Sequence, residues 1–272
     1  MADFSLFTSL RYDPNLREAS AKLDYAGWNY DHESPLYMLD LHRDRVLRAA
    51  RHWQWDKVIE ELEGHAGLER LSEAVLKFVG PEQDRPQRVK VTVTKQAVIS
   101  CEASTVPATQ LTNLFPRELP QPGADSDETS GLPSKGVVYE VFVDNTRTHR
   151  SEYTHFKTSQ RDHYDGARQR AGIKLGETKE VLLVEADGGV MEGSTTTPYF
   201  FRNGRWVTPP VPLRFSRQDG SGGNDGTTRR WALERGIAVE EAVQASSIQD
   251  GEECWMSNGV RGFMFGRIKL GS

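Results

Sequence analysis

The 272-residue sequence has no run of 18 or more apolar residues, which argues against a membrane-spanning helix. Its two cysteines, Cys101 and Cys254, are too few for a disulfide framework, so a reducing, cytoplasmic setting is expected. The opening stretch from Met1 to Arg11 lacks the apolar core of a secretory signal. Seven histidines fall in no metal-ligand spacing, and no metal site is expected. A Gly-x-Ser-x-Gly elbow is absent, as are the P-loop and dinucleotide fingerprints. Nor is there a large excess of one charge: 34 Lys and Arg oppose 39 Asp and Glu, a formal net charge of −5. With the basic residues dispersed, nucleic acid is not the expected partner. A globular enzyme acting on small molecules is the default class.

The pattern along the chain is of mixed α/β (α+β) character in two domains. Residues 1–103 read as a small N-terminal α/β domain. Its helices are predicted over Leu41 to Trp53 and around Leu68, Leu71, Val75 and Phe78, the second stopped by Gly80-Pro81. Val89, Val91 and Val93 alternate with polar residues as a half-buried strand, and Ala97 to Glu102 is its hairpin partner. Residues 104–136 hold five of the thirteen prolines and little periodicity, and are read as an interdomain connection, either a disordered spacer or an ordered loop. Residues 137–272 form the second domain. Strands are expected over Val137 to Asp144, Glu180 to Glu185, Thr195 to Phe201, Ile237 to Val243 and Cys254 to Ser257, with helices over Arg161 to Ala171 and Thr227 to Arg235. Asn203-Gly204 is a hairpin turn.

Three features carry chemistry. Lys157, expected just after a strand and before a helix, is a candidate nucleophile and base, although most lysines are merely solvated. Glu192 precedes Gly193-Ser194; it is either a buried carboxylate facing a ligand or a solvent-facing acid after the Gly188-Gly189 turn. Gly220 to Arg230 is glycine-rich and leads into a helix, a sequence suited to an anion at backbone N–H groups. Ser257-Asn258-Gly259 is a second candidate cradle or a simple turn. Arg43 in His42-Arg43-Asp44-Arg45 is able to make bidentate contacts to a phosphate. An amine able to form an imine, a carboxylate able to keep a ring nitrogen protonated and a phosphate seat are together what a pyridoxal phosphate enzyme provides.

In order and context these segments resemble the fold type IV pyridoxal phosphate enzymes, the class IV aminotransferase family. Lys157-Thr158-Ser159-Gln160-Arg161 with Tyr164, then Glu180-Val181-Leu182-Leu183, Glu192-Gly193-Ser194-Thr195 and Gly226-Thr227-Thr228-Arg229 look like successive landmarks of that family. Ser257 to Gly262 and Leu41 to Arg45 complete the match, which covers nearly the whole chain. The resemblance implies a two-domain fold with pyridoxal 5'-phosphate in the cleft between domains, usually in a homodimer. It also implies that Lys157 bonds the cofactor aldehyde, that Glu192 faces the ring nitrogen, and that Arg43, Thr227, Thr228, Ser257 and Asn258 hold the phosphate.

Leu6-Phe7-Thr8-Ser9-Leu10-Arg11 is similar to the Phe-Thr-Thr-x-Arg strand of aminodeoxychorismate lyases, and the helix after Lys157 is similar to fungal members of that group. The expected reaction is therefore the lyase step that yields 4-aminobenzoate and pyruvate on the way to folate, with Ser9 and Arg161 orienting substrate carboxylates. A transaminase acting on D-amino acids or amines is the alternative, and a non-catalytic relative that retains the fold is a third. In the first two cases the partner is a small-molecule amine.

Overall fold

The computed structural model describes residues 4–22, 33–124, 131–174 and 176–270. It separates into two compact units: Met1–Thr109 with Phe156–Gln160, and Gln110–His155 with Arg161–Ser272.

In the first unit, β1 (Leu6–Tyr12) leads through a 3-10 turn (Pro14–Glu18) into α1 (Ala19–Lys22). Then follow α2 (Leu39–His52), α3 (Asp56–Leu62), α4 (Gly64–Val79), β2 (Gln87–Val93) and β3 (Ile99–Thr105). The strands form an antiparallel sheet in the order β1-β2-β3. Alternation on β2 has its expected effect: Val89, Val91 and Val93 are buried, while Arg88, Lys90 and Thr92 are half-exposed on the other face. Helix α2 buries Val46, Leu47, Ala49 and Ala50, and α4 buries Leu68, Leu71 and Val75. Gly80 ends α4 with φ of 85°, a conformation that glycine reaches without steric cost. Helix α3 was not expected from the sequence; its seven residues bury only Val58 and Leu62, too few to establish a period.

A later piece of chain completes this sheet. Leu6 pairs with Thr158 in an antiparallel bridge on the edge of β1 that β2 leaves open. The Phe7 N–H donates to the Lys157 carbonyl (3.1 Å) and the Ser159 N–H to the Ser5 carbonyl (2.9 Å).

The second unit comprises α5 (Leu111–Leu114), β4 (Tyr139–Thr148), α6 (Glu152–His155), α7 (Asp162–Arg170), β5 (Lys179–Glu185), β6 (Val190–Gly193), β7 (Thr197–Arg202), β8 (Arg205–Thr208), α8 (Thr227–Glu234), β9 (Val239–Glu240), β10 (Glu253–Asn258) and β11 (Gly262–Ile268). Its eight strands run β6-β5-β4-β11-β10-β7-β8-β9 in one mixed sheet. β4 lies parallel to both β5 and β11. One core cluster joins Val141, Leu182, Phe200, Met256 and Met264. Another joins Tyr164 and Ala167 of α7 to Val181, Leu183 and Met191.

One expectation changes. The strand read over Ile237 to Val243 shortens to β9, because only Val239 and Glu240 find partners on β8. Beyond them the Ala245 N–H turns to the Gly188 carbonyl. In the proline-rich connection, residues 125–130 lie outside the described ones, and the remainder is ordered by specific bonds. Asn113 Nδ2 donates to the carbonyls of Ser134 and Phe263, both at 3.0 Å, and Phe115 is fully buried. Among the described residues no helix is long and apolar enough to cross a membrane.

Candidate active site

The candidate residues divide between the units: Ser9, Arg43 and Lys157 on the first, and Arg161, Glu192, Thr227, Thr228, Ser257 and Asn258 on the second.

Lys157, expected just after a strand, instead follows the helical turn α6, which comes after β4. Its position comes instead from the edge of β1 and from its neighbour Phe156. That ring is buried between His52 and Trp53, with centroids 4.6 and 5.0 Å away. The Lys157 amine lies 4.9 Å from the centre of the Phe7 ring. Strand alternation puts Ser9 on the same face as Phe7. The cross-strand partners of Phe7, Ser9 and Arg11 are Thr92, Lys90 and Arg88, and Arg88 Nη2 donates to Ser9 Oγ at 3.2 Å. The amine thus shares its face with a hydroxyl and two cationic side chains.

The arginines of α2 have different duties. Arg43 is buried, with Nη1 donating to the carbonyls of Leu62 (3.2 Å) and Gly64 (2.5 Å) at the end of α3 and Nε to Asp44 (2.9 Å). It fastens α2 to the α3–α4 junction. Arg45 is the one turned to β1, where its Nη2 donates to Thr8 Oγ1 and His42 Nδ1 lies 2.5 Å from the same hydroxyl.

Glu192 is buried on β6 rather than being a solvent-facing turn acid. Leu183 pairs with Glu192 and Val184 with Val190, so Met191 is an extra residue, a β-bulge. Bulges re-aim the side chains next to them. This one brings Glu192 to the Tyr164 hydroxyl, which donates to Oε1 at 2.5 Å. Part of the glycine-rich segment serves this bulge. Ser221 Oγ donates to the Met191 carbonyl (3.3 Å), and a Cβ on Gly223 would lie 2.8 Å from that oxygen and 3.3 Å from Glu192 Cβ. Gly222 packs on the Arg150 side chain, where a Cβ would meet Cγ at 2.6 Å. These glycines allow a strap to lie against β6.

The segment just after Glu192 is gathered by Glu180, itself almost fully buried. Its Oε1 accepts from the N–H groups of Val181 (2.9 Å) and Ser194 (3.1 Å) and from Ser194 Oγ (2.5 Å). Its Oε2 accepts from the Thr195 N–H (3.1 Å), Thr195 Oγ1 (2.7 Å) and Thr196 Oγ1 (3.0 Å). Arg161 Nη2 donates to the Ser194 carbonyl (2.8 Å), and its guanidinium stacks 4.3 Å from the Tyr164 ring centre. The sequence marked Glu180 only as a landmark; two acidic residues flank an apolar run there, and nothing in that pattern separates them.

At the start of α8 the hydroxyls converge. Thr228 Oγ1 is 2.7 Å from Ser257 Oγ, which is 2.9 Å from the Tyr199 hydroxyl. Burial pushes the Tyr199 phenol above its ordinary value of 10, so it stays protonated. Among the described residues, the buried Thr227 Oγ1 has no hydrogen-bond partner and no side chain caps the helix. Asn258 is otherwise engaged: Oδ1 accepts from the N–H groups of Val260 (3.1 Å) and Arg261 (2.9 Å), closing the turn between β10 and β11.

Comparison with known proteins places the chain. The model of the amino-transferase class IV family matches residues 27–267, and the chain belongs to that family. Members of the family use pyridoxal 5'-phosphate and act on small-molecule amines. The aminodeoxychorismate lyase of Saccharomyces cerevisiae is 29% identical over 149 residues, 49% of this chain and 38% of the yeast protein. The match therefore spans well under half the length of that relative. Among solved structures, a candidate amino-acid aminotransferase of Mesorhizobium loti superposes with TM-score 0.63 at 19% identity, over 99% of this chain and 100% of that one. A hypothetical aminotransferase of Mycobacterium tuberculosis in its PLP-bound form gives 0.58 at 15%, over 98% and 81%. A candidate 4-amino-4-deoxychorismate lyase of Legionella pneumophila gives 0.58 at 13%, over 98% and 82%. At such identities the likeness establishes the fold, that of the type IV enzymes.

Proposed function

We propose that the chain is a pyridoxal phosphate-dependent 4-amino-4-deoxychorismate lyase, releasing 4-aminobenzoate and pyruvate. The observation that carries the reading is the face of β1: the Lys157 amine over Phe7, with Ser9, Arg88 and Lys90 beside it. A substrate bearing two carboxylates finds there a hydroxyl and two cations as well as the amine. The sequence similarity to the yeast lyase supports the same choice.

The second unit suits a phosphate and an aromatic nitrogen. A buried hydroxyl without a partner (Thr227), an uncapped helix start and the Thr228–Ser257 hydroxyl pair are the donors a phosphate dianion requires. Thr227, Thr228 and Ser257 would hold the phosphate, and Asn258 would shape the turn beside it. Of the first-unit arginines, Arg43 is drawn to backbone carbonyls, so Arg45 is the better candidate for the anion. Glu192 would accept from the ring nitrogen. When bound, the cofactor supplies an aldehyde for amines and an electron-withdrawing ring. Lys157 Nζ would take up the proton from the carbon bearing the substrate amine, the neighbouring ring carbon's bond to the enolpyruvate oxygen would break, and the substrate ring would become aromatic as enolpyruvate leaves and is protonated to pyruvate. Ser9 and Arg88 would hold a carboxylate, while Arg161 keeps the Ser194 carbonyl in place. A cytoplasmic homodimer is the proposed working state.

Incubation of purified protein with 4-amino-4-deoxychorismate and no amino acceptor tests this. The expected result is catalytic release of 4-aminobenzoate, abolished in Lys157→Ala, with borohydride fixing the cofactor on Lys157. Turnover seen only with an amine donor and a keto acid would replace the lyase with the transaminase reading.

A further inference from the structure

The Tyr164 hydroxyl has one proton and two acceptors: Glu192 Oε1 at 2.5 Å and the Thr154 carbonyl at 3.2 Å. The ring is buried among Ala167, Val181, Leu183 and Met191. The Arg161 guanidinium covers one side at 4.3 Å, and the His163 ring lies with its centroid 4.0 Å away. The titratable and charged groups around the phenol are thus Arg161 and His163 from α7 and Glu192 from β6.

Which partner carries the proton follows from chemistry. Burial and then the Glu192 charge push the phenol well above its ordinary value of 10, so it remains a donor. A short bond from a neutral donor to a carboxylate favours the ionised carboxylate and fixes its rotamer. The carbonyl of Thr154, at 3.2 Å, offers the proton a second, weaker acceptor. Thr154 is itself fixed, since its Oγ1 donates to the Gly222 carbonyl at 2.7 Å. The phenol therefore links the α6 turn, the glycine strap and the Glu192 carboxylate.

From this arrangement we infer that Tyr164 is a positioning residue acting through Glu192: its hydroxyl holds that carboxylate ionised and in one orientation, and so governs the proton on the cofactor's ring nitrogen. The inference rests on the proposed role of Glu192, but the Tyr164–Glu192 coupling itself is measurable without cofactor.

Tyr164→Phe removes the hydroxyl and keeps the ring. In cofactor-free protein carrying 13C-labelled glutamate, the Glu192 titration midpoint should rise by about one pH unit, the tenfold change expected for loss of a charge-assisted bond. Pyridoxal phosphate affinity, read by tryptophan fluorescence, should fall about five- to tenfold, and the pH midpoint of the loaded protein's visible absorbance should move. A purely structural role would lower the melting temperature and leave both midpoints in place, which would overturn the inference. So would a Tyr164→Phe effect on cofactor affinity that persists undiminished in a Glu192→Gln background. If Tyr164→Phe does not fold, 3-fluorotyrosine at position 164 preserves the shape and makes the phenol a stronger donor. The Glu192 midpoint should then fall, and an unchanged midpoint counts against the coupling. Wild-type protein that binds no pyridoxal phosphate would instead remove the reading of the site while the carboxylate titration still judges Tyr164.

Discussion

Replacing Glu180 should separate two kinds of loss. Six donors converge on its carboxylate, three N–H groups and three hydroxyls. In Glu180→Ala the hydroxyls are free to turn, and the Ser194 N–H keeps its bond to the Val181 carbonyl (2.9 Å). The N–H groups of Val181 and Thr195 lose this acceptor. The buried Val181 N–H costs about 1–3 kcal/mol when left unsatisfied, whereas the N–H of exposed Thr195 turns to water, so a total of about 3 kcal/mol is expected once the lost charge-assisted hydroxyl bonds are included. In Glu180→Gln the oxygen retains its three partners, but the amide nitrogen meets the Thr195 N–H head on. A cost of about 2 kcal/mol follows. Urea titration monitored by tryptophan fluorescence should rank wild type, Gln and Ala in that order. Hydrogen exchange at Ser194 and Thr195 should accelerate in the same order. An alanine variant within about 1 kcal/mol of wild type would refute the argument, since it would mean these donors are readily satisfied elsewhere.

Other outcomes follow from single features. Burial, then the Arg161 charge, lowers His163 from 6.5 to about 4. The unfolded chain takes up a proton first as pH falls, so this contribution is intact above 6.5 and is lost progressively down to about 4. Allowing for partial exposure, the loss should be about 1–2 kcal/mol, and His163→Gln should flatten that part of the stability profile. Gly223→Ala drives a methyl into the Met191 carbonyl and should destabilise the protein by about 1–3 kcal/mol, with weaker cofactor binding. Unchanged melting would show that the strap does not brace the bulge. Thr227→Val should have opposite effects in two assays: cofactor-free stability unchanged or higher, because a buried hydroxyl without a partner is removed, and pyridoxal phosphate affinity about tenfold weaker. Equal affinity would remove Thr227 from the phosphate seat.

The elements legible in the sequence were those with a local cause. The valine alternation of β2, the Asn203-Gly204 turn between β7 and β8, and the apolar period of α4 each depend on neighbours a few residues away. The burial of Glu192 depends on a bulge, a phenol 28 positions earlier and a strap some 30 positions later, so the adjacent glycines suggested a surface turn. In sequence, the glycine-rich segment Gly220 to Arg230 reads as one anion cradle. Only its last part begins a helix, while Gly222 and Gly223 are small so that backbone and side chains can touch. Arg43 and Arg45 are indistinguishable as letters, and what separates them is the α3–α4 junction that draws one of them in.

The fourth strand-like segment, on the rim of the N-terminal sheet, has a consequence for biosynthesis. Ser5 and Ser159 are bonded across 154 positions, so a ribosome delivers the final edge long after β1 has emerged. Until then that rim exposes unsatisfied amides and carbonyls, a template for any stray extended peptide. A polypeptide truncated at residue 109 should accordingly associate with itself, and a synthetic peptide spanning 155–161, supplied in trans, should suppress that association.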